Sequence, residues 1–376
     1  MAWLAAFFTL CMLVYATMTM RAAWYFRRIP CEGQMPGPLP RVSVVIPARN
    51  EAEHLPRLMQ ALVQQEYPRE LMEIILVDDD SEDATTAIGW LWAERHEHVH
   101  FVPSEPTNTV AYKKAALQTG IAQATGEIIV QTDADCNMGP NWLARMVAHF
   151  GPQTGLVSGP VLLSHDHTWL QRWQSLELIG LVALGAGSMA AGRPHLVNGA
   201  NLAYRKAVFD QIGGYQGIDG VASGDDELLL QKIERLGEYE IHFVRCRDAI
   251  VETVAQPDWA NFKAQRVRWV SKARSYLNRR TNLLQLLSFM AFLGLPLLLL
   301  MGFINLGYSG LALQLLILKV AADFPLMYFS ARFFRKLPLL KKDYFPLQLA
   351  YFPYVIWMGW MGLFPRQYHW KGRKVK

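Results

Sequence analysis

Two aspartates separated by one residue follow a short apolar run near the middle of the chain. The stretch reads GEIIVQTDADC, and its aspartates are Asp133 and Asp135. β-branched residues after a glycine indicate a buried strand, and residues i and i+2 of an extended chain point to the same side. Two carboxylates on one side repel each other unless a cation lies between them, and oxygen ligands suit Mg²⁺ or Mn²⁺. The spacing predicts a divalent metal site, with a solvated acidic turn as the alternative.

Apolar runs typical of strands alternate with helical patterns through the first part of the chain. This alternation predicts an α/β fold of βαβ units with a mostly parallel sheet, in which ligands bind beyond the carboxyl ends of the strands. A second acidic cluster, at 78–80, also follows such a strand, so we expect it to meet Asp133 and Asp135 at one site. The expected strands are 42–46, 73–77, 99–102 and 127–130, and the expected helices between them include 111–124.

Local signals predict two helix caps and a third acidic cluster. Asn50 and Glu53 have the spacing of a capping box, so we expect Asn50 to cap the helix after the first strand. Asp80 is a candidate cap for the helix after the second. The pair at 225–226 precedes a helical pattern at 228–236, where carboxylates are also explained by the helix dipole.

The two ends of the chain carry most of its apolar residues, which make up 52% of the sequence. Residues 1–20 contain no charged side chain and are long enough to span a bilayer. Arg21, Arg27 and Arg28 follow, so the positive-inside rule predicts an anchor with the residues after it in the cytosol. A Pro/Gly-rich linker completes the segment 21–40.

The C-terminal segment 283–376 is expected to hold further membrane helices, at 283–303 and 311–329. Lys319 and Asp323 lie i, i+4 in the second of these, so we expect them to pair and to face protein. Residues 344–364 either span the membrane or lie in its interface. The basic tail favours the interface, because a span would place that tail outside against the positive-inside rule.

A basic and aromatic helix is predicted between these parts, at 259–282, with the composition of a headgroup-layer helix. It carries Gln265, Arg268 and Trp269 at i, i+3 and i+4, on one face. The net charge of +5 lies beside apolar segments, which favours membrane lipids as partners and no nucleic acid. The four cysteines are scattered, which favours a reducing compartment without a disulfide framework.

Seven motifs in order resemble the membrane-integrated members of glycosyltransferase family 2. They are VSVVIPARNE, VDDDSED, KKAALQTGI, DADC, NGANLAYR, GDDE and QRVRW, within about residues 41–270. Ceramide glucosyltransferases, cellulose synthases and hyaluronan synthases are similar at these positions. The resemblance implies a GT-A fold, Rossmann-like, as a cytosolic catalytic domain at 41–258. It further implies an enzyme that binds a nucleotide-diphospho-sugar and inverts the anomeric centre.

The resemblance also implies roles for individual residues. Asp79, with Asp78, would accept the uracil N–H, and either Lys113 or Lys114 would add positive charge near the phosphates. Asp133 and Asp135 would hold the metal that neutralises the leaving diphosphate. The implied donor-binding set is Glu51, Asp78, Asp79, Lys114, Asp133, Gln265, Arg268 and Trp269.

A general base is implied at the GDDE motif. Asp226 would take the proton of the acceptor hydroxyl, with Asp225 as the alternative. Asp80 stands where the family often has glycine, and Asp225 where it often has glutamate.

These features together predict a hexosyltransferase that moves sugar, from UDP by preference, to a membrane lipid. Its expected place is the cytosolic face of the bacterial inner membrane. A polysaccharide synthase extending a glycan would need a wider bundle of spans to thread its product. A non-catalytic nucleotide-sugar-binding membrane protein is the alternative from another class, and the intact acidic motifs argue against it.

Overall fold

The computed structural model describes residues 1–33, 37–104, 110–164, 166–362, 368–371 and 373–375. The helices are α1 Ala2–Phe26, α2 Leu55–Val63, α3 Thr85–Arg95, α4 Tyr112–Gln123, α5 Trp142–Val147, α6 Trp169–Ala190, α7 Lys206–Gln211, α8 Glu227–Leu236, α9 Trp259–Ser271, α10 Arg279–Met301, α11 Leu306–Phe333 and α12 Leu337–Gly362. The strands are β1 Val42–Ala48, β2 Met72–Asp78, β3 Val99–Pro103, β4 Ile128–Gln131, β5 Asn137–Met138, β6 Thr154–Ser158, β7 Val161–Leu163, β8 Leu202–Arg205, β9 Glu240–Phe243, β10 Val251–Thr253, β11 Tyr368–Trp370 and β12 Arg373–Val375.

The main sheet has the order β3-β2-β1-β4-β8-β6-β9. Strands β3, β2, β1 and β4 are parallel, β8 is antiparallel to both neighbours, and β9 is parallel to β6. Alternate residues of β1 face opposite layers: Val44 and Ile46 pack with α2, whereas Val45 packs with α4. The expected α/β fold with a mostly parallel sheet is confirmed, and β1 lies where the chain turns from one half of the sheet to the other.

Two helix caps predicted from sequence are wrong. Helix α2 begins at Leu55 after His54, so Asn50 lies outside it and instead accepts a hydrogen bond from the Glu82 backbone N–H. Asp80 does not cap α3, which follows Ala84, and its carboxylate pairs with arginine side chains. Both aspartate and asparagine accept left-handed backbone angles, and here Asn50 has φ of 50° and Asp80 of 55°.

Helices α1, α10 and α11 are long and apolar enough to cross a membrane. The predicted pair in α11 is confirmed: Lys319 Nζ lies 3.0 Å from the Asp323 carboxylate, and the lysine also bonds Gln348 of α12. Tyr15 of α1 donates to Asp323. These contacts satisfy both charges between helices, as burial in an apolar region requires.

The single helix expected at 259–280 is two helices. Helix α9 ends at Ser271, a short 3₁₀ turn follows, and Arg279 and Arg280 already belong to α10. Gln231 of α8 stabilises the break between α9 and α10, because its side-chain oxygen accepts hydrogen bonds from the backbone N–H groups of Leu277 and Asn278. Helix α9 is therefore shorter than the helix predicted from sequence.

Helix α12 and the strands after it remain next to the α/β domain. Near the start of α12, Asp343 pairs with Arg172 of α6 at 2.7 Å, and further along Tyr354 accepts from Arg266 of α9. The hairpin of β11 and β12 then lies against the ends of β1 and β2, through Lys371 and Arg373. Helix α12 also contacts α10 and α11, two of the helices that are long and apolar enough to cross a membrane.

One cysteine expectation is wrong. Cys31 and Cys246 form a disulfide that links the segment after α1 to the end of the α/β domain, whereas Cys11 and Cys136 are free and buried. The two bonded residues are 215 positions apart in sequence. No spacing pattern indicates such a pair.

Candidate functional site

Parallel strands bring two of the acidic motifs to the same edge of the sheet. Strand β1 lies between β2 and β4, with Ala48 opposite Asp78 and Val45 opposite Gln131. Asp79 therefore leaves the sheet beside the turn that carries Asp133. In open α/β sheets, ligands bind in the crevice at this kind of topological switch point.

A polar cleft opens at this edge and consists of two adjoining cavities, of about 310 and 130 Å³. Both cavities are lined by Lys113, Asp133, Asp135, Gln265 and Arg268. The larger cavity adds Glu51 and Asp79, and the smaller adds Asp225, Asp226 and Trp269. The cleft thus brings together residues from motifs far apart in sequence.

Lys113 links two acidic motifs within the cleft. Its Nζ lies 2.7 Å from Asp133 Oδ1 and 3.0 Å from Asp225 Oδ2. Burial raises the pKa of Asp225, but the positive charges of Lys113, Lys114 and Lys272 outweigh it and lower that pKa to about 2. Asp225 is therefore anionic at neutral pH and engaged with the lysine.

Asp133 and Asp135 have the donor chemistry of a hard divalent cation. Burial raises the pKa of Asp133 most, Lys113 opposes this, and the charges of Asp135 and Asp225 raise it further. A cation would relieve that repulsion. In the part of the chain that the structure describes, no three His, Cys, Asp or Glu side chains converge on one ion. A metal at Asp133 and Asp135 would need oxygen ligands from a diphosphate and water, which Mg²⁺ commonly uses.

Asp79 presents an unsatisfied acceptor. Its Oδ1 accepts from Arg373 at 2.8 Å, whereas its buried Oδ2 has no hydrogen-bond partner among the described residues. A buried carboxylate oxygen without a donor is costly, so this atom fits a ligand N–H. Asp78 does not line the cleft, because its carboxylate accepts from Ser81 and Thr86 within its own turn. The role implied for Asp78 is thus a local structural one.

The two lysines of the KKAALQTGI motif have different positions. Lys113 lines the cleft, whereas Lys114 is buried behind it and donates to the carbonyl oxygens of Ile218, Val221 and Ser223. Those three bonds hold the loop that leads to Asp225. The structure therefore places Lys113, and not Lys114, at the cleft, and Lys114 supports the loop.

The QxxRW motif lines the cleft with Gln265, Arg268 and Trp269 and also with Arg266, whose supporting contacts the sequence analysis missed. Arg266 is buried and forms an ion pair with Glu177 of α6. It also donates to the Gln265 side chain at 2.6 Å and lies 4.1 Å from the Trp269 ring centre. Arg266 fixes the residues on either side of it, and a basic residue within a basic helix gave no signal of this.

Asp225 and Asp226 face different surroundings. Asp225 is buried in the wall of the cleft, where it accepts from Gln131 at 2.8 Å and from Lys113. Asp226 accepts from the Gly199 and Glu227 backbone N–H groups and from Lys272. A Cβ at Gly199 would lie 2.9 Å from Asp225 Oδ2, so glycine is required for this close approach.

An apolar cavity of about 110 Å³ begins at Asp226 and leads away from the polar cleft. Asp226, Trp269 and Lys272 line both this apolar cavity and the smaller part of the polar cleft. Helix α6, which supplies one wall, packs against α1 and α11. The apolar lining is Leu178, Leu181, Val182, Ala186, Met189, Leu196, Val197 and Phe243.

Basic residues that the sequence analysis did not assign close the other end of the cleft. Lys371 lines it, donates to the Arg49 carbonyl at 2.7 Å and pairs with Glu51. Arg373 pairs with Asp79 and lies 4.2 Å from the Tyr112 ring centre. The tail had shown only its positive charge, so nothing in the sequence placed it at this site.

Comparison with known proteins gives a family for the chain. A model described as glycosyl transferase family 21 matches residues 3–376. The probable glycosyltransferase YdaM of Bacillus subtilis is 29% identical over 250 residues, which cover 65% of this chain and 57% of that protein. The undecaprenyl-phosphate 4-deoxy-4-formamido-L-arabinose transferase of Sodalis glossinidius is 28% identical over 178 residues, covering 47% and 52%. The chain spans about half the length of these relatives.

A solved structure has the same fold over nearly the whole chain. It is the mannosyltransferase PcManGT from Pyrobaculum calidifontis, in complex with GDP-Man and Mn²⁺. The two chains are 21% identical with a TM-score of 0.62, over 96% of this chain and 98% of that one. The expected glycosyltransferase class and GT-A fold are confirmed. The matching family is 21, so the narrower assignment to family 2 is not confirmed.

Proposed function

The chain belongs to glycosyl transferase family 21, and from that premise we propose an inverting, metal-dependent enzyme that transfers sugar from a nucleoside diphosphate to a membrane lipid. The observation that carries this proposal is the position of Asp226. It lies where the polar cleft meets the apolar cavity. A hydrophilic donor and a lipid acceptor would reach the same carboxylate from opposite sides.

The larger cavity of the polar cleft is the donor side. The unpartnered Oδ2 of Asp79 would accept an N–H of the nucleobase, and uracil offers one. Arg268 lines both parts of the cleft and offers a planar fork for phosphate oxygens. Gln265 lies one turn before it on the same lining face. UDP is the first choice of nucleotide, and the GDP-Man bound by the mannosyltransferase named above makes GDP the second to test.

The metal would be held by Asp133 and Asp135, as Mg²⁺ or Mn²⁺, and when bound it supplies Lewis-acid neutralisation of the diphosphate. Lys113 adds a fixed positive charge between Asp133 and Asp225. Mn²⁺ in the structure of the mannosyltransferase supports a divalent ion at this fold's site.

Asp226 would act as the general base. Its carboxylate takes the proton of the acceptor hydroxyl while the hydroxyl oxygen forms a bond to the anomeric carbon. The bond from that carbon to the diphosphate oxygen breaks, and the nucleoside diphosphate leaves. One displacement inverts the anomeric centre and needs one carboxylate base. Asp225 is the less suitable base, because it lines only the polar cleft, whereas Asp226 lines both the cleft and the apolar cavity.

A lipid acceptor is favoured by the apolar cavity and by one relative. The cavity wall is α6, which lies against two helices that could span a membrane. The relative from Sodalis glossinidius is named for undecaprenyl phosphate. Arginines directly after the apolar part of α1 support a cytosolic position of the catalytic domain, at the inner membrane in a bacterial cell.

The test is sugar transfer by the purified full-length chain in bilayer nanodiscs that contain an extracted lipid fraction. UDP- and GDP-sugars are supplied with Mn²⁺, and lipid products are identified by mass spectrometry. The proposal predicts one hexose added per lipid and release of nucleoside diphosphate. A ladder of products with many sugars would indicate a polysaccharide synthase instead. Nucleotide-sugar binding without turnover for any donor would indicate a non-catalytic protein.

A further inference from the structure

A groove on the opposite face of α6 from the apolar cavity has no part in the proposed reaction. It runs between α1, α6 and α10 and has a volume of about 340 Å³. Gly187 lets α6 contact α1 directly at the base of the groove, since a Cβ there would lie 2.2 Å from the Ala22 carbonyl oxygen. The groove is therefore formed by a tight approach of two helices, one of them a candidate span.

Three arginines from separate segments lie at one end of this groove. They are Arg21 at the end of α1, Arg193 after α6 and Arg280 at the start of α10. All three side chains are exposed, and Arg280 lies close enough to the other two to be repelled by them. Arg21 donates to the Ala191 carbonyl, a neutral partner, at 3.4 Å.

Negative charge near this cluster is scarce. Glu234 attracts Arg280 but is shared with the Asn278 side chain, which donates to it at 2.9 Å. Among the described residues that line the groove, none is acidic. Burial lowers the pKa of His195, which also lines the groove; the hydrogen bond to the Arg193 carbonyl opposes this, and the charge of Arg280 lowers the pKa further. Three cations with so little compensation favour an anionic ligand.

The remainder of the groove is mostly apolar, with Thr17 and Ser188 as its hydroxyl side chains, and it runs along α1. Leu13, Val14 and Met18 line it along α1, with Leu184 and Leu284 opposite. An α-helix rises about 1.5 Å per residue, so the distance from Leu13 to Arg21 along α1 is about 12 Å. The charged end lies where α1 meets the α/β domain, and the apolar end lies towards the middle of the candidate span.

We propose that this arginine groove binds an anionic glycerophospholipid, with the phosphate held by Arg21, Arg193 and Arg280 and an acyl chain along α1. The lipid bridges the anchor to the segment 192–198. That segment leads to Gly199, whose backbone N–H donates to Asp226. The groove is thus a lipid site distinct from the acceptor cavity, and its occupant also stabilises the loop behind the base.

The experiment measures lipid binding to the full-length chain by native mass spectrometry, with phosphatidylglycerol and phosphatidylcholine of identical acyl chains. Phosphatidylglycerol is expected to bind preferentially. Arg193→Ala should lower its affinity about fivefold, since one basic residue near a membrane surface contributes about that much. Arg279→Ala removes the same charge from an exposed neighbour outside the groove lining and should leave the preference unchanged.

A second variant tests the acyl part independently of charge. Leu284→Trp fills the apolar part and should lower phosphatidylglycerol binding while all three arginines remain. An unchanged preference in Arg193→Ala, or an equal loss in Arg279→Ala, would overturn the proposal. So would displacement of the lipid by millimolar inorganic phosphate, because the groove would then bind a free anion. Thermal unfolding of each variant in phosphatidylcholine nanodiscs shows whether the variant is folded.

Discussion

The polar cleft and the apolar cavity meet at Asp226 but are built in different ways. The cleft is lined by charged groups that come from strand ends and from α9, and it includes the Asp79 Oδ2 atom, which has no hydrogen-bond partner among the residues that the structure describes. The cavity is lined by side chains of α6 and of the segment after it. Charged groups at strand ends are held in defined positions, as the binding of a diphosphate requires. The apolar wall of α6, which lies beside candidate membrane helices, suits an acyl or prenyl chain. Under the proposed function, this difference matches the nucleotide-sugar to the cleft and the lipid to the cavity.

The largest effect is expected at the junction itself. Asp226→Asn keeps the shape of the side chain but removes the base, so we expect transfer to fall by about 10³-fold, within the range typical of general base catalysis. Nucleotide-sugar affinity should change little. The measurement is the single-turnover rate together with donor binding, with Asp210→Asn, an exposed aspartate on α7, as the matched control. Near-normal transfer by Asp226→Asn would show that Asp226 is not the base, and the polar cleft and the apolar cavity would then share no catalytic group.

The next effect belongs to the polar cleft alone. Chelation of divalent ions should lower transfer by at least about 10²-fold, because charge stabilisation of the leaving group is lost. Mn²⁺ or Mg²⁺ should restore it. Asp135→Asn should raise the Mn²⁺ concentration needed for half-maximal activity, and Asp78→Asn, which alters a carboxylate outside the cleft, should not. Full activity in excess chelator would show that Lys113 and Arg268 suffice.

A smaller effect is expected from the apolar cavity. Leu196→Trp narrows the cavity and should raise the KM for the lipid acceptor about tenfold while leaving the KM for the donor unchanged. Leu91→Trp on α3 is the control, since that leucine is 43% exposed and lines neither the cleft nor the apolar cavity. A change in donor KM instead would mean that the two regions are not separate.

The smallest effect concerns the stability of the cleft rather than its activity. The pKa of Asp225 is about 2 in the folded chain, below the ordinary value near 3.9. A lowered carboxylate pKa stabilises the fold above about pH 4, and that contribution is lost as the pH falls towards about 2. Asp225→Asn should therefore lower the unfolding temperature at pH 7 and have less effect near pH 3. An equal effect at both pH values would show that the Lys113 pair contributes nothing.

The sequence predicted the elements whose pattern is local. Strands β1, β2 and β4 read as short β-branched runs, and the acidic clusters at their ends followed from the rule for parallel sheets. It was harder to predict which of two adjacent lysines faces the cleft. Neighbouring positions on a helix point about 100° apart, and the rotation of the helix depends on its packing. Lys113, rather than the Lys114 of the implied donor-binding set, therefore lines the cleft.

Features set by distant contacts could not be predicted. The break after α9 depends on Gln231, and the orientation of Gln265 depends on Arg266 and its pairing with Glu177. The contact of Arg373 with Asp79 joins residues 294 positions apart. None of these pairs leaves a local pattern in a single sequence.

The most direct test of the account is the position of Mn²⁺ in a crystal of the full-length chain with Mn²⁺ and a nucleoside diphosphate. Anomalous scattering locates the ion independently of the surrounding density. The account predicts an anomalous peak in contact with the carboxylates of Asp133 and Asp135, with the nucleobase at Asp79 and Asp226 at the open side of the diphosphate. A nucleotide bound elsewhere, or a peak remote from both aspartates, would contradict it.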